Sequence, residues 1–203
     1  PMRLSVQSFE RKFDPNDPDI AKKVSELSKT LIQQIDTMSS IASAFSNFAN
    51  MPAQQNETLN VVKIVKMAVD IFDENYIHFS SEEEEIIAKL DRTQLIRVVT
   101  NLVKNATQAI VNVDTPHVLV TVSKDGDFVK MTVEDNGVGI SMESKDKVFE
   151  PKFTTKTSGM GLGLGMVKNI VETYKGTINF TTEPGKGTIF TVRFPIANDG
   201  GNT

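Results

Sequence analysis

Between Val133 and Gly165 the chain reads V-E-D-N-G-V-G-I and, after a short interval, F-E-P-K-F-T-T-K-T-S-G-M-G-L-G-L-G. Six of its twelve glycines, at positions 137, 139, 159, 161, 163 and 165, fall in this span. Glycine serves where a backbone takes positive φ or comes within contact distance of a ligand, so this density marks a ligand site. The second cluster runs into Met160, Leu162, Leu164, Val167, Ile170 and Val171 at mixed helical spacing, with Gly176 as the stop, which predicts a helix. A glycine-rich entry into a helix presents free N–H groups and the positive end of the dipole, an arrangement that suits phosphate.

Upstream, Asn101 to Ile110 reads N-L-V-K-N-A-T-Q-A-I, a helix with Leu102, Val103, Ala106 and Ile110 on one side. Asn101 and Asn105, four apart, share a face. Together these residues resemble the nucleotide-binding domain of sensor histidine kinases, in the wider family that includes gyrase, Hsp90 and MutL ATPases. In that resemblance Asn101 to Ala106 is the N box, Asp135 to Gly139 the first G box, Phe149 to Phe153 the F box and Gly159 to Gly165 the second G box. Gly185 to Phe190, G-K-G-T-I-F, matches the closing glycine-threonine turn. Five elements in the family's order span roughly residues 57 to 195.

The resemblance implies a site for ATP and Mg²⁺. Asp135 ends a strand, and an ionised carboxylate accepts hydrogen bonds without donating. An adenine N6 amino group satisfies it, whereas guanine O6 would set acceptor against acceptor; the alternative is an ordinary Asx turn. Asn105 is the implied Mg²⁺ ligand. Asn101 stands where the hydrolytic relatives carry a glutamate that activates water, and an amide has no useful basicity, so the site suits transfer rather than hydrolysis. The alternative makes both asparagines surface residues of an amphipathic helix. Phe149, Lys152, Phe153, Thr154, Thr155, Lys156 and Thr157 form an expected lid. Lys156 is the candidate γ-phosphate contact, against a merely solvated lysine. Thr188 is expected at the adenine edge, directly or through water, and Gln108 near phosphate. Gly137, Gly139, Ile140, Gly159, Gly161, Leu162 and Gly163 complete the expected nucleotide contacts.

The chain has 203 residues, 39% of them hydrophobic and 24% charged, enough for one domain of ordinary size plus a smaller element. A net charge of −4 argues against a general nucleic-acid or anionic-membrane binder. The absence of cysteine excludes disulfides and thiolate zinc sites and is compatible with a reducing compartment. No apolar run approaches the roughly 18 residues that span a bilayer, and no signal peptide is evident. The expectation is a cytoplasmic piece of a longer protein that reaches the inner membrane only through upstream segments.

Residues 1–13 place Leu4, Val6, Phe9 and Phe13 at loosely helical spacing before D-P-N-D-P-D breaks the pattern. Asp19 can cap a second helix in which Val24, Leu31, Met38 and Phe45 repeat every seven residues. Leu27, Ile41 and Phe48 supply the other seam position, interrupted by Gln34. This helix either folds back on its own domain or belongs to a dimerisation hairpin, two of which make a four-helix bundle. Expected beyond it are a helix over 59–72, strands at 76–80 and 86–90, and a helix over 91–113. Two hairpins come next, 117–124 with 127–135 and 179–182 with 188–195, turning at Asp125-Gly126 and at E-P-G-K-G. The acidic run 82–85 reads as a solvated turn. Helices interleaved with mostly antiparallel hairpins imply an α+β, two-layer α/β sandwich, a mixed sheet covered by helices and preceded by a helical hairpin. The expected domains are 1–52, 53–197 and a tail at 198–203.

In the family the phosphoacceptor is a histidine within H-E-x-K-N-P-L-T-P on the first hairpin helix. Only Pro1 matches it here, and P-M-R-L-S-V-Q-S-F resembles the stretch immediately C-terminal to that motif in nitrogen-sensing histidine kinases. The acceptor is therefore expected to be missing, with His78 and His117 incidental and the chain unable to phosphorylate itself. The implied partners are a second copy, paired through the helical hairpin, and the receiver domain of a response regulator. A gyrase- or Hsp90-like clamp, a sigma-factor serine kinase and a module that only binds nucleotide are the alternatives. Asn101 disfavours the first and the long heptad helix the second.

Overall fold

A computed structural model describes residues 2–15, 17–49, 55–111, 113–150 and 163–196, which fall into two compact units. The first is a helical hairpin of α1 (Met2–Lys12) and α2 (Ile20–Ala49). Asp17, between Pro15 and Pro18 of the break, accepts the Asp19 N–H at 2.8 Å and pairs with the Lys23 ammonium. Ile20, Leu27, Leu31 and Gln34 are half-buried, at the alternating spacing of a heptad seam. Val24, expected in that seam, is 42% exposed. Side chains at 36–49, including Met38, Ile41, Phe45 and Phe48, lie outside the described residues.

The second unit contains β1 (Glu57–Asn60), α3 (Val61–Val69), β2 (Ile77–Ser81), β3 (Ile87–Leu90) and α4 (Arg92–Ala109). It continues with β4 (Val118–Asp125), β5 (Phe128–Asp135), a 3-10 turn at Met142–Lys147, α5 (Gly163–Thr173), β6 (Thr177–Glu183) and β7 (Gly187–Pro195). Five strands form one mixed sheet in the order β2-β4-β5-β7-β6, parallel only between β2 and β4. Strand alternation sends Val118, Val120, Val122, Val129, Met131, Val133, Val192 and Phe194 to one face, all buried. The helices α3, α4 and α5 cover that face with Val65, Ala68, Val98, Val99, Leu102, Val103, Val167, Ile170 and Val171. The other face is polar, with the Thr121 and Thr132 hydroxyls 2.6 Å apart. This is the expected sandwich.

Local differences from expectation have physical causes. The helix expected from Leu59 starts at Val61, because residues 57–60 pair with β3, Leu59 opposite Ala88, and Asn60 caps the helix by accepting the Lys63 N–H. The helix expected to reach Val113 stops at Ala109, whose carbonyl is taken by the Val138 N–H at 3.0 Å, and Ile110 turns extended. Asp91 is its N-cap, accepting the Gln94 N–H at 3.0 Å. Within the acidic run Glu83 is half-buried, and its carboxylate accepts the Lys124 N–H at 3.1 Å. Among the described residues no helix is long and apolar enough to cross a membrane.

Candidate functional site

The last inward-facing position of β5 is not apolar. Asp135 lies there, 5% exposed, in register between Val118 of β4 and Thr188 of β7. Thr188 is 3% exposed and in turn faces Thr182 of β6. The apolar face thus ends in a polar row of one carboxylate and two hydroxyls. Asp135 Oδ1 accepts the Gly137 N–H at 2.9 Å, an Asx turn that swings the chain out of the sheet. The Asx turn therefore exists, and it is compatible with a ligand role because a carboxylate offers about four lone-pair sites.

The loop after Asp135 is wedged between α4 and the β6–β7 turn. A Cβ on Gly137 would meet the Ala109 carbonyl oxygen at 2.5 Å, and one on Gly139, at φ 69°, would meet that of Glu183 at 2.5 Å. Across the wedge the Gly185 N–H bonds the Val138 carbonyl at 2.8 Å and the Ile140 N–H bonds Thr182 Oγ1 at 2.9 Å. Thr182 also donates to the Gly187 carbonyl at 3.0 Å and lies 2.9 Å from Thr188 Oγ1. One hydroxyl has one proton, so with Thr182 donating to Gly187 the donor of the threonine pair is Thr188. Gly187 takes φ 122° and packs on the Asp135 backbone where any side chain would collide with its carbonyl. Glycine is therefore used at these positions for close approach of backbone to backbone.

On α4 the two asparagines differ. Asn101 Nδ2 donates to the Arg97 carbonyl at 2.8 Å, and its Oδ1 would be 2.8 Å from a Cβ on Gly163, the first residue of α5. Asn105, half-buried, has no hydrogen-bonding partner among the described residues. Gln108 is exposed. No group of three or more His, Cys, Asp or Glu that could hold a metal occurs among the described residues. A cation that retains waters and takes one neutral oxygen from the protein, as Mg²⁺ does, fits the Asn105 amide, which is unengaged among the described residues.

Phe149 packs edge-on against Phe180 of β6 and Phe190 of β7, with ring centroids 5.9 and 6.5 Å away. Phe190 and Phe180 sit one inward row below Thr188 and Thr182, so an aromatic floor adjoins the polar row. The Lys168 ammonium of α5 lies 5.7 Å from the Phe149 centroid. The residues expected at the lid and second glycine cluster, Lys152, Phe153, Thr154, Thr155, Lys156, Thr157, Gly159, Gly161 and Leu162, lie outside the described residues; Gly163 opens α5.

Two contributors carried no sequence signal of their own. Thr182 is found only through hairpin register, which sets it opposite Thr188. Beyond the far end of α5, the Tyr174 hydroxyl accepts the Asp91 N–H at 3.1 Å and donates to Asn56 Oδ1 at 3.0 Å, while Asp91 Oδ2 accepts the Gln55 N–H at 2.9 Å. Burial pushes the Tyr174 phenol above its ordinary value and the nearby Asp91 charge adds to this, while the hydrogen bond from the Asp91 backbone opposes it.

A helix-covered mixed sheet with a buried acid at a strand end, a glycine turn behind it and, on the neighbouring helix, an amide without a partner among the described residues is the arrangement of a class of nucleotide-binding ATPase folds. Residues 90–198 match the family described as histidine kinase-, DNA gyrase B-, and HSP90-like ATPase, and the chain belongs to it. Over 200 residues it is 30% identical to an NtrY-like sensor histidine kinase of Rickettsia conorii, covering 97% of this chain and 33% of that protein. Over 120 residues it is 40% identical to the sensor histidine kinase ZraS of Escherichia coli, covering 59% of this chain and 25% of ZraS. The solved catalytic domain of histidine kinase ThkA superposes with a TM-score of 0.63 at 29% identity, covering 70% of this chain and 96% of that one. The chain spans about one third of the length of the NtrY-like relatives it matches.

Proposed function

We propose that residues 53–197 bind Mg-ATP and form the catalytic part of a sensor histidine kinase in two-component signalling. The γ-phosphate passes to a histidine that is neither His78 nor His117, for relay to an aspartate of a response-regulator receiver domain. The observation that carries this reading is the buried Asp135 carboxyl at the end of β5, beside Thr188 and above an aromatic floor. Adenine N6 donates to Asp135. Thr188, whose proton goes to Thr182, is left as an acceptor for N6 or for a bridging water. Asn105 holds Mg²⁺, which when bound supplies charge neutralisation between the phosphates. Lys156 and Gln108 meet phosphate.

Asn101 supports transfer over hydrolysis. Its amide nitrogen is committed to Arg97, and an amide cannot take a proton from water as a glutamate would. The apolar α2 residues Val24, Ile32 and Ile35, exposed in the single chain, support a homodimer formed through the hairpin in residues 1–52. Placement in the cytoplasm follows from the chemistry, since ATP and receiver domains are met there.

His78 and His117 both lie on the sheet face opposite to Asp135, because they neighbour the inward Ile77 and Val118. That placement supports the reading that the chain does not phosphorylate itself. The test is calorimetry with Mg-ATP together with γ-labelled ATP, using these 203 residues alone and then with a separately supplied histidine-bearing acceptor hairpin. Expected are binding, no self-labelling, and acid-labile label on the added hairpin. Label on His78 or His117 would overturn the reading, and binding without any transfer would leave a nucleotide-binding module.

A further inference from the structure

The chain contains two histidines, and the fold brings them together from 39 positions apart. His78 is the second residue of the edge strand β2 and His117 immediately precedes β4, the parallel neighbour of β2. Their ring centroids are 5.3 Å apart and both residues are exposed. The backbone beneath them is fixed. The Val118 N–H bonds the Tyr76 carbonyl at 2.9 Å, the His117 N–H bonds Asn136 Oδ1 at 2.9 Å, and the Asn136 N–H returns to the His117 carbonyl at 3.3 Å.

A tetrahedral ion bound by two imidazole nitrogens at ~2.1 Å keeps each ring centroid about 3.2 Å away, which places the centroids about 5.2 Å from each other. The observed spacing matches this. We propose that His78 and His117 form a two-imidazole site for borderline transition-metal ions, Zn²⁺ with its tetrahedral preference before Ni²⁺ or Cu²⁺, on the open face of the sheet. Imidazole selects these ions over Mg²⁺, which prefers oxygen, so the site is chemically distinct from the one around Asn105. No third His, Cys, Asp or Glu joins the pair among the described residues, and water completes the coordination. Binding is consequently exchangeable. An ion bridging β2 and β4 ties the edge strand to the strand whose preceding His117 is hydrogen-bonded on both sides to Asn136, next to Asp135. It therefore stabilises the folded state by mass action.

The test titrates Zn²⁺ into the tag-free chain, without nucleotide, by calorimetry. One equivalent is expected to bind, with a rise in thermal midpoint that a chelator reverses. His78→Ala and His117→Ala should each weaken binding roughly tenfold or more, as should His117→Gln, which retains polar bulk without an imidazole. With Cu²⁺, electron paramagnetic resonance should show two equivalent nitrogens in the parent and one in each single variant. No binding at millimolar Zn²⁺, parental affinity in either histidine variant with native circular dichroism, or a single nitrogen in the parent spectrum would each overturn the assignment.

Discussion

Asp135 and Thr188 stand directly opposite one another on β5 and β7, both buried, and the residue before Thr188 is the glycine that lets the two backbones approach. A carboxylate buried beside a threonine at the end of an otherwise apolar row costs desolvation that an aliphatic pair would avoid. The fold keeps it at the end of the row, where the chain leaves the sheet and a ligand can meet it.

Asp135→Asn tests that relation with little structural disturbance. The Asn side-chain oxygen can still accept the Gly137 N–H, so the turn survives and stability should change by about 1 kcal/mol or less. The other position becomes a donor facing the adenine N6 donor. ATP affinity, measured by calorimetry with Mg²⁺, should fall on the order of tenfold to a hundredfold. Unchanged affinity would remove Asp135 as the adenine reader.

The contrast between the two asparagines predicts opposite kinds of loss. Asn105 makes no hydrogen bond among the described residues, and alanine is the better helix former, so Asn105→Ala should leave stability unchanged or raise it by roughly 0.5 kcal/mol. The same change should abolish the Mg²⁺ dependence of nucleotide binding while leaving metal-free affinity from the adenine end. Asn101→Ala, which loses the bond to Arg97, should do neither. If binding to Asn105→Ala keeps the parental response to Mg²⁺, the metal ligand is another residue.

How much of this was legible in the sequence depends on how local each cause is. Asp135 and the first glycine turn could be read because a strand, an Asx turn and two glycines are consecutive. So could the paired asparagines, since helical spacing alone puts them on one face. The stop of α4 at Ala109 could not, because it depends on an N–H from Val138, 29 positions on. The 57–60 strand was hidden for a similar reason, being four residues long and recognisable only through its pairing with β3. The two histidines look unrelated until β2 and β4 are known to be adjacent and parallel.

Thr182 is the hub of the polar row, and this predicts an order of severity. Thr188→Val removes one hydroxyl contact and should cost about 1 kcal/mol. Thr182→Val removes that contact, the partner of the Gly187 carbonyl and the acceptor of the Ile140 N–H, and should cost on the order of 2–3 kcal/mol. Urea unfolding of both variants checks it. Equal costs would mean that the Gly185 and Val138 backbone contacts hold the wedge without Thr182.

Tyr174 gives a prediction in pH. Its phenol is harder to ionise in the folded chain than at its ordinary value of 10.0, chiefly because burial disfavours the anion. Below about pH 10 the folded and unfolded chains both hold the proton, and the contribution of Tyr174 is fully present. As pH rises from about 10 through the higher folded value, the unfolded chain releases its proton first, and that contribution is lost. Tyr174→Phe keeps the ring contact with Phe194 but leaves the Asp91 N–H and Asn56 without their hydroxyl. At neutral pH the variant should be less stable by roughly 1–2 kcal/mol. The gap to the parent should then narrow as pH climbs above about 10, because the variant has no phenol to ionise. Denaturant unfolding of both proteins at matched pH reads this directly, with the other titrating groups common to both. A gap that stays constant from neutral pH to about pH 11 would show that Tyr174 ionises alike in the folded and unfolded chains.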